Sequence, residues 1–331
     1  MTAIRLGTRR SALATAQSQQ VADALAAVSG RPVELVPIVS EGDVSRASLA
    51  SLGGTGVFAT RLREALMAGE CDLLVHSLKD LPTAQPDGLV IAATPVREDA
   101  RDVAVTRDGT ALHELRPGST VGTGSPRRVA QVHRRNPRVE VRDLRGNVDS
   151  RLQRVRDGEL DAVILAAAGL ARLGAAPEGL ALEALGLSQW PTAPGQGSLA
   201  VETMTDADPD LLAALAALDD LPTRLAVTAE RAVLATLEAG CSAPVATHAE
   251  VRGSDIRIIA VVYAEDGSSR VGLDRTETLG EGYIRTQGSG NGADAADGDD
   301  PIARAAQAGF RVAHRLLERG AADLVTRESP R

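Results

Sequence analysis

One unit repeats through the first half of the chain: a short apolar strand-like run, a turn of small residues, then a helix-like run. Residues 4–7 read as a strand, 12–28 as a helix with Leu13, Val21, Leu25 and Val28 on one side, and 33–39 as a second strand. Residues 58–67 look helical, while 72–75 and 89–92 look strand-like. The rhythm returns after Asp102, with strands over 102–105, 120–122, 138–141 and 162–165 and helices over 126–134 and 148–157. Such alternation predicts a parallel sheet covered by helices, because a parallel pair needs a crossover long enough to hold one. Its doubling, with a join near Thr94-Pro95, predicts two α/β lobes with a cleft between them.

The rest of the chain reads differently. Residues 191–197 (Pro-Thr-Ala-Pro-Gly-Gln-Gly) form a loop by composition and are the candidate second crossing between lobes. A helix over 223–237 with Thr223 near its cap, strands over 246–251, 256–263 and 270–275, and a helix over 301–318 predict a smaller α+β domain. The expected division is lobe 1 over 1–95 plus 196–215, lobe 2 over 96–195, and the third domain over 216–331. Within that domain, 287–300 is acidic and of low complexity, a mobile loop with no assigned function.

No apolar run approaches the roughly 20 residues of a membrane span, so no membrane partner is expected. The N-terminus enters a strand without a basic stretch and apolar core, so the reading is cytoplasmic, without a signal peptide. Two cysteines, Cys71 and Cys241, give neither a disulfide framework nor metal-ligand spacing.

Charge is unevenly placed. Net charge is −8, yet eleven arginines between Arg116 and Arg156 face only Glu140, Asp143 and Asp149, leaving that segment at +8 and the remainder at −16. Such a patch in an acidic chain points to a small anionic ligand or a local acidic partner. With five aromatic residues in the chain there is little to stack bases, so nucleic acid is not an expected partner. Lysine occurs once, at Lys79, against 35 arginines. Lys79 and Asp80 follow the apolar run 71–75, which places them at the C-terminal end of a buried strand, where α/β sheets bind ligands. A surface Lys-Asp pair is the plain alternative.

Three strand-to-helix turns carry arginine. Val121-Gly122-Thr123-Gly124-Ser125-Pro126-Arg127-Arg128 offers backbone N–H groups, hydroxyls and guanidinium forks at a helix start. Leu144-Arg145-Gly146-Asn147 repeats the device, with Arg151 about one turn into the helix, and Gly7-Thr8-Arg9-Arg10-Ser11 does so after the first strand. Arginine near a helix N-terminus opposes the macrodipole, and three repetitions point to ligand anions. Cys71 reads as a small buried hydrophobe; Cys241, in a Gly-, Ser- and Pro-flanked loop, is open to being a nucleophile or an attachment point.

Together these motifs resemble the porphobilinogen deaminase (hydroxymethylbilane synthase) family. The resemblance runs from Ile4 to the last helix through Thr8-Arg9-Arg10-Ser11, Val75-His76-Ser77-Leu78-Lys79-Asp80-Leu81-Pro82, residues 121–128 and Leu144-Arg145-Gly146-Asn147. It continues through Ala168-Gly169-Leu170-Ala171-Arg172-Leu173-Gly174, Pro194-Gly195-Gln196-Gly197 and Glu238-Ala239-Gly240-Cys241. It implies two periplasmic-binding-protein-like lobes with a third, smaller α+β domain, and a cytoplasmic monomer. It also implies a transferase of porphyrin and haem biosynthesis that joins four porphobilinogen molecules with loss of four ammonias. The chain would grow on a dipyrromethane cofactor bound to Cys241 by a thioether.

The resemblance also implies roles. Asp80 would hydrogen-bond pyrrole N–H groups and stabilise the cation left when ammonia departs. Lys79, Asp80, Thr123, Ser125, Arg127, Arg128 and Arg151 would hold the cofactor, and Arg9, Ser11, Arg145, Arg151 and Arg172 the substrate and growing chain; no metal is implied. Phe58 would be an apolar contact. The chain departs from the family at Thr55 and Thr60, where lysines are frequent, with Arg61 or Arg63 as candidate replacements. A non-catalytic anion receptor of similar architecture and a pyridoxal-phosphate enzyme using Lys79 are the rival readings.

Overall fold

The computed structural model of the chain describes residues 2–38, 56–174, 178–237, 244–280 and 300–325. Cys241, Thr55, the side chain of Phe58 and the expected mobile loop over 287–299 lie outside the described residues. Two units follow from the contacts: Met1–Asp99 with Ala168–Ala175 and Gln196–Arg224, and Ala100–Ala167 with Ala176–Gly195 and Leu225–Arg331.

In the first unit, strands β1 (Ile4–Thr8), β2 (Val33–Pro37), β3 (Leu73–Ser77), β4 (Leu89–Ala93) and β10 (Leu199–Met204) form a sheet of order β2-β1-β3-β10-β4. Strand periodicity sorts its side chains between two covering layers. Ile4, Leu6, Leu73 and Val75 join Val21 and Leu25 of helix α1 (Ala12–Ser29) in one core, while Leu74 and Cys71 join Leu62 and Leu66 of helix α2 (Gly56–Met67) in the other. Each such buried leucine or isoleucine stabilises the fold by roughly 1.5–3 kcal/mol. Ser11 caps α1 by accepting from the Ala14 N–H at 3.3 Å, and Gly30 ends it with φ 64°. Cys71 is 2% exposed, and burial pushes its thiol up to about 11, in keeping with its reading as a small hydrophobe.

The second unit carries β5 (Asp102–Thr106), β6 (Thr120–Gly122), β7 (Glu140–Arg142), β8 (Ala162–Ala166) and β9 (Ala181–Leu185) in the order β7-β6-β8-β5-β9. Helices α3 (Pro126–Arg135) and α4 (Val148–Arg156) connect β6, β7 and β8. Both sheets share one plan: three parallel strands, then a fourth running antiparallel, which is β10 in one and β5 in the other. The expectation of wholly parallel sheets is therefore corrected. Strand β5 is buried at every position and β10 at all but its last, so neither shows the alternation that reveals a strand's setting.

Helix α5 (Ala167–Arg172) follows β8, and helix α6 (Pro209–Ala216) packs on α1. Helix α7 (Leu221–Thr236) is capped by Asp220, which accepts from the Thr223 N–H at 2.9 Å, so Thr223 lies in the first turn, near the cap as expected. Strands β11 (Val245–Arg252), β12 (Asp255–Tyr263) and β13 (Arg270–Thr278) form an antiparallel meander covered by helix α8 (Pro301–Glu318), with the short helix α9 (Ala322–Val325) after it. Gly267, at φ 71°, brings the β12–β13 turn against α3, where a Cβ would sit 2.5 Å from the Ala130 carbonyl oxygen. Ala130, Ala246, Val261 and Tyr263 close that junction.

Gly309 sets the spacing of α8 on α7, since a Cβ there would fall 2.3 Å from the Ala229 carbonyl oxygen. Helix propensity alone favours Gly309→Ala by about 1 kcal/mol. Overpacking against backbone costs about 1–3 kcal/mol or more, so the variant should melt lower than the wild type. A higher melting temperature would show that the helices are free to separate.

Candidate active site

In the first unit, β3 ends in a 3-10 turn, Leu78–Asp80, anchored by Leu78 N–H donation to the Ser198 carbonyl at 3.0 Å. Ser77 exchanges hydrogen bonds with Gln17 of α1 at 2.9 and 3.2 Å, fixing the strand end to that helix. Lys79 and Asp80 thus stand at the C-terminal end of a buried strand, as the sequence indicated. Lys79 is half-buried; Asp80 is exposed, and its carboxylate has no hydrogen-bond partner among the described residues. Arg9 is half-buried after β1, and the Ser11 oxygen serves the helix cap. Arg172, at the end of α5, donates from Nη2 to the Gly197 carbonyl at 2.7 Å. Burial lowers its guanidinium pKa against the pull of Glu98.

The frame behind this turn is a buried ion pair that sequence reading missed. Glu202 of β10 is 0% exposed and accepts from Arg63 Nε and Nη2, at 3.0 and 2.8 Å, and from Gln85 Nε2 at 2.9 Å; His76 Nε2 lies 3.2 Å away. Burial alone would raise its pKa, but the bonds from His76 and Arg63 overcome this and bring it down to about 2. Arg63 is therefore committed to Glu202 and cannot replace a missing lysine; Arg61 is half-buried and pairs with Glu70 at 3.2 Å.

In the second unit the turn after β6 is held by its own hydroxyl. Thr123, 1% exposed, donates its N–H to the Arg142 carbonyl at 3.0 Å, and its Oγ1 accepts from the Ser125 N–H at 3.3 Å. Ser125 occupies the cap position of α3 with no side-chain cap bond, and Pro126 follows. Arg127 and Arg128 are buried, at 3% and 7% exposure, and both donate to Asp102, at 2.9 and 2.6 Å. Trp190 Nε1 donates to the same carboxylate at 2.9 Å. Burial works to raise the Asp102 pKa, but the two guanidiniums and the indole hold it well below the usual carboxylate range. Arg127 also donates to Gln131 Oε1 at 2.6 Å, while the Nε atoms of both arginines are buried without a partner.

Arg145 and Arg151 extend this charge. Asn147 caps α4 through the Ser150 N–H at 2.9 Å, and Arg151 Nε donates to the Gly146 carbonyl at 2.8 Å. Burial lowers the Arg151 guanidinium pKa, and the charges of Arg128 and Arg145 lower it further, against Asp143 alone. Arg145 reaches Asp143 at 3.4 Å in an exposed pair of little energetic worth. Three guanidiniums, those of Arg128, Arg145 and Arg151, are crowded together against two carboxylates, Asp102 and Asp143.

The structure thus groups Arg9, Ser11, Lys79, Asp80 and Arg172 in the first unit, and Thr123, Ser125, Arg127, Arg128, Arg145 and Arg151 in the second. Asp102, Trp190 and Glu202 were missed, although an acid inside an otherwise apolar strand is a readable sign of a buried partner.

An α/β scaffold with guanidiniums in excess of carboxylates beside a hydroxyl-rich helix start is suited to a small, multiply charged anion. Residues 4–212 match the dipyrromethane cofactor-binding domain of porphobilinogen deaminase, and residues 224–318 match its C-terminal domain. Relatives named porphobilinogen deaminase include one from Streptomyces avermitilis, 55% identical over 302 residues, covering 87% of this chain and 92% of the relative. Another, from Thermobifida fusca, is 48% identical over 325 residues, covering 98% and 96%. The chain belongs to the porphobilinogen deaminase family, the transferases of tetrapyrrole biosynthesis with a dipyrromethane cofactor. This decides against the receptor and pyridoxal-phosphate readings. Among solved structures, the Bordetella pertussis BvgS VFT2 domain is similar at TM-score 0.41 and 18% identity, over 65% of this chain and 85% of that one. A Coxiella burnetii ABC-transporter periplasmic substrate-binding protein gives 0.42 and 16%, over 66% and 93%. Among the described residues no helix is long and apolar enough to cross a membrane.

The Glu202 shift has a signed consequence. A folded pKa of about 2, below the ordinary 4.5, contributes stability that is complete above about pH 4.5 and is lost as pH falls toward 2. The contribution is roughly 3 kcal/mol. Glu202→Gln should cost about 3–5 kcal/mol at pH 7 by stranding Arg63, with the deficit narrowing below pH 4.5. Denaturant unfolding from pH 7 to pH 3 checks this; parallel curves for the two proteins would refute it.

Proposed function

We propose that this chain joins four porphobilinogen molecules head to tail, releasing four ammonias and giving hydroxymethylbilane, with Asp80 as the catalytic carboxylate and Cys241 as the cofactor's thioether attachment. The observation that carries the reading is Asp80 itself: fixed in backbone at the end of a buried strand, with a carboxylate that no described residue occupies. A fixed carboxylate stabilises positive charge developing on a pyrrole as ammonia leaves, and accepts a pyrrole N–H in the ground state. Such preorganisation needs little rearrangement during the reaction.

The second unit's residues fit a dipyrromethane. Each of its rings carries an acetate and a propionate, and Arg128, Arg145 and Arg151 offer crowded positive charge beside the Thr123 and Ser125 hydroxyls. Bound there, the group supplies the terminal pyrrole carbon that a new ring joins. In this reading Arg128, Arg151, Thr123 and Ser125 hold its carboxylates, with Lys79 and Asp80 also contributing. Arg127, tied to Asp102 and Gln131, fixes the turn that presents them. Arg9, Ser11, Arg145, Arg151 and Arg172 take the carboxylates of incoming and elongating rings. The domain reading stays with two lobes, 1–95 plus 196–215 and 96–195, and a third domain over 216–331. The chain would act as a cytoplasmic monomer, and the net charge of −8 accords with the lack of a nucleic-acid partner.

Asp80→Asn keeps shape and removes charge, so it should fold, carry the cofactor and form bilane at least about a hundredfold more slowly. Near-normal bilane formation by this variant would remove Asp80 from the reaction. Arg145→Ala should fold and accumulate short enzyme-bound intermediates, visible by native mass spectrometry; an unchanged intermediate pattern would contradict its role.

A further inference from the structure

A second arginine cluster in the second unit is not used by the proposed chemistry. Arg134, Arg135 and Arg270 line a cavity of about 480 Å³ whose other walls include Gln131, Trp190 and Tyr263. That volume lies within the range of small-molecule pockets, roughly 300–1,000 Å³. All three arginines are exposed, and none has an ion pair among the described residues. Arg134 donates one bond to the Gly267 carbonyl, at 3.2 Å. The acidic side chain in the lining, Glu183, accepts from the Leu112 N–H at 2.7 Å, and three arginines against this one carboxylate leave the cavity wall positive. Strand β9, the edge of its sheet, contributes Ala184 and Leu185 to the same wall. Burial pushes the Tyr263 hydroxyl pKa up, while Gln131 and the charges of Arg127, Arg270 and Arg134 pull it back.

We propose that this cavity binds a small molecule carrying two or more carboxylate or phosphate groups. Guanidinium forks recognise either oxyanion in bidentate geometry, and three of them without ion pairs among the described residues match a multiply charged ligand better than a single charge. The site is separate from the proposed cofactor cradle, since Thr123, Ser125, Arg128, Arg145 and Arg151 do not line it. It is nevertheless one bond away. Gln131 Oε1 accepts from Arg127, its Nε2 donates to Tyr263 Oη at 3.3 Å, and Trp190 donates to Asp102. A ligand in the cavity therefore contacts the groups that orient Arg127 and Asp102.

Trp190 is the chain's only tryptophan, so intrinsic fluorescence reports directly on this wall. Citrate and, separately, inorganic pyrophosphate would be titrated into the cofactor-loaded protein at constant ionic strength. The expected result is a saturable change, weakened roughly tenfold or more in an Arg135→Gln, Arg270→Gln double variant. Bilane formation without added anion should be the same in both proteins, because neither arginine belongs to the proposed machinery. The anion that saturates at lower concentration identifies carboxylate or phosphate as the preferred group. No saturable response to either anion overturns the proposal. So does equal affinity in the double variant, which would move the response to the cradle arginines. Binding is the readout, so the outcome stands independently of the proposed catalytic role of Asp80.

Discussion

Asp102 has no exposed surface, and its carboxylate is met by two guanidiniums and an indole. A lone carboxylate in that position would cost several kcal/mol of lost hydration. Two buried arginines without it would be equally untenable. The three charges are stable only as a set, and the set joins the start of β5 to the first turn of α3 and to Trp190 before the 191–197 loop. Because α3 begins directly after Thr123 and Ser125, the geometry of that turn depends on the triad. Glu202 does the same in the first unit, joining α2, β3 and β10 behind the turn that carries Asp80.

Arginine therefore has two physical fates in this protein. Arg63, Arg127 and Arg128 each donate to a buried carboxylate and organise backbone. Burial depresses the Arg151 guanidinium, and the nearby charges of Arg128 and Arg145 depress it further against Asp143. Like charges gathered at a rigid turn weaken the fold unless an anion relieves them. In the proposed function, a ligand bearing two carboxylates per ring supplies that relief. Arg128 belongs to both groups and links frame to cradle.

Much of this was readable before any coordinates. Elements with strong local signals were found nearly to the residue: α1 behind Ser11, α8 behind Asp300-Pro301, and β3 delivering Lys79 and Asp80 to its C-terminal end. What escaped was non-local. Strands β5 and β10 are buried on both faces, so sequence pattern carries no sign of their antiparallel direction. The sequence reading leaves out strands β9 and β10 and helices α5 and α6, all short, although Asp208-Pro209 marks the start of α6. Arg127 read as a free anion binder because its partner is 25 residues away, and Arg63 because its partner is 139 away. Charge counting sees a surplus of arginine; only packing shows which members of it are already engaged.

The central claim is that the crowded guanidiniums serve a group covalently bound to the chain. Intact mass of the denatured protein, wild type beside Cys241→Ser, tests it most directly. The account predicts that the wild type exceeds its polypeptide mass by two deaminated porphobilinogen units and that the variant does not. A bare polypeptide mass for wild type, persisting after incubation with porphobilinogen, would contradict it.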